Sequence, residues 1–329
     1  MPSLTEKPWF IAVCIPVAIL GTSTLVTFLM LGQISRSAGS TADAGHEQPA
    51  AKGHGAEGRS EVEKHDWSYE GTEGPEQWGE HSPGEIAAKG IRQSPIEIIS
   101  KAAITSPGLG AIDFHYSDTE FTIKNNGHTI RVDCPDMSNT ITIAGRNYGL
   151  LQFHFHARSE HQIDGESYPM ELHFVHVLSG GVSESSDKSV AKLAVVGVLI
   201  EEGPPNPLID KLWTKLPQAE DDNASFTGPG LNFDVLLPPD GQRSFFRYSG
   251  SLTTPPCTEN VLWSVMEEPI YLSKEQIEAF TKLYKKNYRP AQKINQRSVL
   301  RYLDGQPSSI APTPSPVAPV LPGLPGGIK

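Results

Sequence analysis

A mainly β fold, one large and mostly antiparallel central sheet with short peripheral helices, is what residues 65–305 predict. Three observations carry that prediction. Short runs of alternating apolar character recur along this stretch, and an Asn-Asn-Gly turn lies between two of them. Neither a βαβ rhythm nor an internal repeat competes with that pattern.

In chain order, "EFTIKNNGHTIRV" (120–132) reads as a strand pair turning at Asn125, Asn126 and Gly127. "NTITIAG", "LLQFHFH", "MELHFVHVL" and "KLAVVGVLI" supply four more strands. Two helices follow the same logic. Asn206 before Pro207 opens "PLIDKLWTKL", and Ser273 with Gln276 makes a capping box ahead of apolar Ile277, Phe280, Leu283 and Tyr284.

The flanks have a different character. Behind a short flank (1–7), residues 8–35 carry no charge over "PWFIAVCIPVAILGTSTLVTFLMLGQIS". That run suits a membrane span of about 20 residues and exceeds the roughly 7–15 of a signal-peptide core. It reads as an uncleaved transmembrane anchor, the alternative being a long signal cleaved near "SRSAGS". Residues 36–64 lack large apolar side chains and read as a flexible linker, and 306–329 is a proline-rich tail without packing capacity. Anchor and tether together place the body outside the cytoplasm, or release it as a secreted protein after cleavage.

The 329 residues include 27 basic and 38 acidic side chains, a net charge of −11. That balance repels phosphate backbones, and no basic stripe with interleaved aromatics offsets it, so nucleic acid is excluded as a partner. Of three cysteines, Cys14 lies in the apolar run, and Cys134 and Cys257 either pair or stay as buried thiols. No CxxC occurs, which argues against a cysteine zinc site or a dithiol redox motif.

Chemistry concentrates in "QFHFH" (152–156) and "ELHFVH" (171–176). Residues two apart on a strand share a face, so Gln152, His154 and His156 project together, as do Glu171, His173 and Val175. Three imidazoles from adjacent strands suit a tetrahedral zinc site whose fourth place is open to water. Gln152 and Glu171 are positioned to accept the outward N–H of a ligand histidine and fix its tautomer. His176 falls on the opposite face as a core residue. His161 lies among loop formers, which predicts exposure. His128 follows the turn, where a half-exposed imidazole can take up and release protons near neutral pH. Arg131, three residues after His128, reads as a solvated charge near the mouth of the site that tunes proton traffic slightly.

Several ordered motifs resemble the α-class carbonic anhydrases: "QSPI" (93–96), "NNGH" (125–128), "QFHFH", "SEH" (159–161), "ELHFVH", "YSGSLTTPPC" (248–257) and "RPAQ" (289–292). The resemblance spans roughly residues 65–303. It implies a large twisted, mostly antiparallel sheet with Zn2+ in a conical cleft on His154, His156 and His173. It implies reversible hydration of carbon dioxide to bicarbonate and a proton by a zinc-bound hydroxide. Thr253 would stand beside that hydroxide with Glu160 behind it, and the Asn287 carbonyl would orient His156. Val175, Val195, Leu252, Thr254 and Trp263 would line the substrate pocket, with His128 as proton shuttle and Tyr69 and Asn126 along the proton path. One departure is plain: exported relatives often pair the cysteine after "TTPP" with one just before "QSPI", where this chain has none.

Rival readings are a non-catalytic binding module on this fold, a membrane-tethered scaffold, and another zinc hydrolase. Three ligand histidines with Glu160 and Thr253 argue against the first, and the absence of HExxH against the last.

Overall fold

The computed structural model describes residues 67–80, 85–179, 191–227 and 231–305. The apolar run 8–35, the linker 36–64, the tail 306–329 and Cys14 lie outside the described residues. Among the described residues no helix is long and apolar enough to cross a membrane.

Seven strands position the site: β1 (Phe121–Asn125), β2 (Ile130–Asp133), β3 (Arg146–Ala157), β4 (Met170–Leu178), β5 (Leu193–Glu202), β6 (Phe245–Ser251) and β7 (Glu259–Met266). Within a 13-stranded sheet they lie in the order β1-β2-β3-β4-β5-β7-β6. Every pair is antiparallel except β5 with β7. The β1–β2 turn is held by side chains: Asn125 accepts from the Gly127 N–H, and Asn126 from those of His128 and Thr129. Gly127 has φ of 79°, a backbone region natural to glycine.

Two of the three α-helices among the described residues carry the caps that the sequence predicts. In α1 (Pro207–Trp213) the Asn206 side chain accepts from the N–H groups of Leu208 and Ile209. α2 (Lys274–Thr281) starts with the reciprocal Ser273–Gln276 capping box.

The alternation of β3 decides where the histidines point. Tyr148 and Leu150, then Phe153 and Phe155, all pack in the same large apolar core. An even pair and an odd pair cannot share one face of an uninterrupted strand. A bulge resolves the conflict. The β3–β4 register steps from Leu150–His176 to Gln152–Val175, leaving Leu151 out of the ladder and 45% exposed. Beyond it Phe153 and Phe155 enter the core, while Gln152, His154 and His156 turn to the other face. On β4, Met170, Leu172 and Phe174 join the core. Val175 joins a second, smaller cluster with Val195, Leu199, Tyr248 and Trp263.

This phase reversal predicts unequal effects of two deletions. Deleting Leu151 closes the bulge and leaves Tyr148, Leu150, Phe153 and Phe155 in one alternation, so all four keep the core face. Deleting Thr122 from the regular β1–β2 ladder instead drives Phe121 or Ile123 out of the core and lowers the unfolding free energy by about 3 kcal/mol or more. Urea unfolding of both variants tests the bulge, and equal losses would contradict it.

Candidate metal centre

His154, His156 and His173 converge, with one ring nitrogen from each lying within 4.8 Å of the others. The outward nitrogen of each ring is committed. His154 Nδ1 donates to Gln152 Oε1 at 2.9 Å, and His156 Nδ1 to the Asn287 carbonyl at 2.6 Å. His173 Nε2 donates to Glu171 Oε1 at 2.8 Å. The tautomers follow: lone pairs remain on Nε2 of His154, Nε2 of His156 and Nδ1 of His173. His156 Nε2 is buried with no hydrogen-bond partner. Burial lowers the pKa of all three, that of His156 to about 4, so the rings are neutral and able to ligate. Three neutral imidazoles with convergent lone pairs fit a zinc ion.

Glu171 ties this cluster to its surroundings. Oε1 accepts from His173 and, at 2.7 Å, from His161 Nδ1; Oε2 accepts the backbone N–H groups of Glu160 and His161, both at 2.8 Å. Burial alone would raise its pKa, yet His161 and His173 hold it well below the ordinary carboxylate value. β5 makes room for the carboxylate with Gly197, the register partner of His173. A Cβ there would lie 3.0 Å from Oε1.

The expectation that His161 is exposed is wrong. Its side chain is wholly buried, with Nε2 2.7 Å from the Tyr248 hydroxyl, which in turn donates to Ser94 Oγ. The loop-like composition of "SEHQIDGES" says nothing about a ring drawn inward by a carboxylate ten residues away. Arg131 is likewise not merely solvated: its Nε lies 2.7 Å from Asp133 Oδ1.

Glu160 Oε1 accepts the Arg289 N–H at 2.7 Å. Burial pushes the Glu160 carboxyl up to about 7, against the lowering effects of His173, the Arg289 N–H and the Thr253 hydroxyl. Thr253 is itself buried, two residues beyond the end of β6. Apolar residues border the same region: Val175, Val195 and Trp263 are buried in one cluster and Leu252 packs against it, while Thr254 is half-buried. The Trp263 ring lies 4.8 Å from that of His173.

His128 is half-buried on the β1–β2 turn and stacks on Trp67, with centroids 3.6 Å apart and planes 6° from parallel. Tyr69 meets the same ring edge-on at 6.4 Å, its hydroxyl kept protonated by a pKa that burial raises well above the usual value. Asn126 spends its carbonyl on the turn. Asn287 reaches both regions: besides orienting His156, its Nδ2 donates to the His128 and Phe155 carbonyls. Sequence reasoning missed Trp67, Tyr248 and Arg289. Trp67, the first of the described residues, carries no local signal of its place beside His128. Cys134 and Cys257 are buried free thiols.

A family model described as eukaryotic-type carbonic anhydrase matches residues 73–303. A carbonic anhydrase of Nostoc sp. is 39% identical over 237 residues, 71% of this chain and 85% of the relative. One from Neisseria gonorrhoeae is 38% identical over 236 residues, 71% of this chain and 87% of the relative. The solved α-carbonic anhydrase of Thermovibrio ammonificans with sulfanilamide superposes with a TM-score of 0.64 at 38% identity, covering 71% of this chain and 98% of that one. Sheet, histidine cluster and matches together define an enzyme acting on carbon dioxide and bicarbonate. The chain belongs to the eukaryotic-type, or α-class, carbonic anhydrase family, whose members are zinc enzymes.

One buried histidine outside the cluster yields a pH prediction. His176 contacts the Tyr116 hydroxyl and the Ala194 carbonyl, and burial pushes its pKa down to about 3. An unfolded histidine titrates near 6.5. Between these values the unfolded chain binds a proton that the folded chain does not, so stability falls as pH falls through that window. In urea unfolding near pH 5, His176→Gln lowers the slope of stability against pH by about 1.4 kcal/mol per pH unit. An unchanged slope would show that His176 is not held neutral.

Proposed function

We propose that His154, His156 and His173 hold one Zn2+ and that the chain there hydrates carbon dioxide reversibly to bicarbonate and a proton. The observation that carries this reading is the set of three inward lone pairs, each enforced by an acceptor on the far side of its ring. Carbonic anhydrases are the standard example of zinc acidifying a water, which here would supply the nucleophile for carbon dioxide.

The chain's own residues orient and shelter that reaction. A carboxylate only accepts, so ionised Glu160 makes the Thr253 hydroxyl a donor toward it. The Thr253 oxygen keeps a lone pair with which to accept from the attacking group and fix its direction. A cation on the neighbouring histidines favours that ionised form over the neutral one that burial promotes. Val175, Val195, Leu252 and Trp263 offer apolar carbon dioxide a dry wall, with Thr254 at its edge.

His128 carries the released proton outward in this reading. Its imidazole is half-buried beside Tyr69 and Asn126, and its stacking on Trp67 gives it a defined resting orientation. Tyr69 stays protonated and serves as a hydrogen-bond donor along the path.

Metal analysis and carbon dioxide hydration assays test the centre together. One zinc per chain is expected, with activity lost on chelation and restored by zinc. His154→Ala loses both metal and rate, and inactivity of a fully zinc-loaded protein would refute the proposal. For the shuttle, His128→Ala slows turnover about tenfold or more in weak buffer, and added imidazole restores it. Full turnover by that variant in weak buffer would remove His128 from the path.

A further inference from the structure

Two cross-strand rows cross the face of the sheet that bears the cluster. In one, Lys124, Arg131, His154 and His173 are successive register partners on β1, β2, β3 and β4. In the other, Asp133, Gln152, Val175, Val195 and Trp263 follow one another from β2 to β7. The first row ends in two cations, the second in a carboxylate set beside them.

Asp133 lies between both cations, Oδ1 2.7 Å from Arg131 Nε and Oδ2 2.6 Å from Lys124 Nζ. The three side chains are about a third exposed, at 33% for Lys124, 32% for Arg131 and 29% for Asp133. Ion pairs at such exposure add little stability, and a single pair would neutralise the carboxylate. Two positive charges against one negative leave an excess of one positive charge. That excess stands next to His154 in a chain whose net charge is −11.

We propose that Arg131, backed by Lys124, is a specificity residue that draws small monovalent anions, bicarbonate among them, to the histidine cluster. The inference rests on the zinc site proposed above. Arg131 is adjacent to His154 in register, so its charge acts across roughly two strand spacings, about 10 Å. A unit charge at that range, partly screened by solvent, changes anion affinity by about 2- to 15-fold. Asp133 moderates the effect by neutralising one cation and holding the guanidinium against the strand. The overall equilibrium ties the kcat/KM values of hydration and dehydration to each other. Binding of a non-reacting anion therefore isolates the charge better than rates do.

Thiocyanate titrated calorimetrically into the zinc-loaded full chain at low ionic strength tests the assignment, with zinc content measured on the same samples. Arg131→Gln is expected to weaken binding about fivefold, Arg131→Lys to stay within about twofold of the native chain, and Asp133→Asn to tighten it. Opposite signs for Arg131→Gln and Asp133→Asn are what a merely structural ion pair cannot produce. Native affinity in a fully zinc-loaded Arg131→Gln, or shifts of the same sign in both variants, overturns the role of Arg131 and leaves the zinc site standing. If Arg131→Gln does not fold, the direction of the Asp133→Asn shift decides alone. A native chain that binds no zinc overturns the proposed centre, and this inference with it.

Discussion

The buried carboxylate of Glu171 is the interaction on which the rest of the site depends. A buried charge is costly unless every lone pair is used, and here four hydrogen bonds use them. Two of those bonds hold rings and two hold backbone. The same group that sets the His173 tautomer thus positions the chain at Glu160 and His161. Glu160 in turn faces Thr253 from that position. The orientation of the His173 ring and the placement of Glu160 are therefore coupled through one side chain, and a change at Glu171 disturbs both.

Pleating explains how a single sheet face carries such different environments. Along β3 and β4, alternation sends aromatic residues to one side and polar ones to the other, so the large core stabilises the very strands that display the histidines. Across the strands the character changes gradually, from the charges of β1 and β2 to the valines and Trp263 of β4, β5 and β7. Polar and dry regions thus meet at the cluster mainly on one sheet face, with Leu252 and Thr254 of the β6–β7 connection added on the dry side.

Much of this was legible in the sequence, for a definite reason. The strands, both helix caps and the face each histidine takes within its own strand depend on residues within a few positions of one another, and alternation or capping chemistry records them directly. The bulge at Leu151 does not announce itself, although both apolar pairs around it are visible, because only the competing demands of one core reveal the phase change. His161 was misjudged for the same reason, since its partners Glu171 and Tyr248 lie on two separate strands. The contacts of Asn287, about 130 residues from the ring it orients, follow from the resemblance and from no local pattern.

Three features of the cluster look like separate defects until they are considered together. His156 Nε2 is buried without a partner, the three rings are held neutral by burial, and the Glu160 carboxyl is raised to about 7. Each represents a cost to folding that a protein selected for stability alone would remove by placing apolar groups there. In the proposed centre one cation at the convergence point would answer all three. It would take the unpaired lone pair, use the neutral rings as ligands, and favour the ionised Glu160 that makes Thr253 a donor. Local instability without the ion and catalysis with it would then be two consequences of the same arrangement.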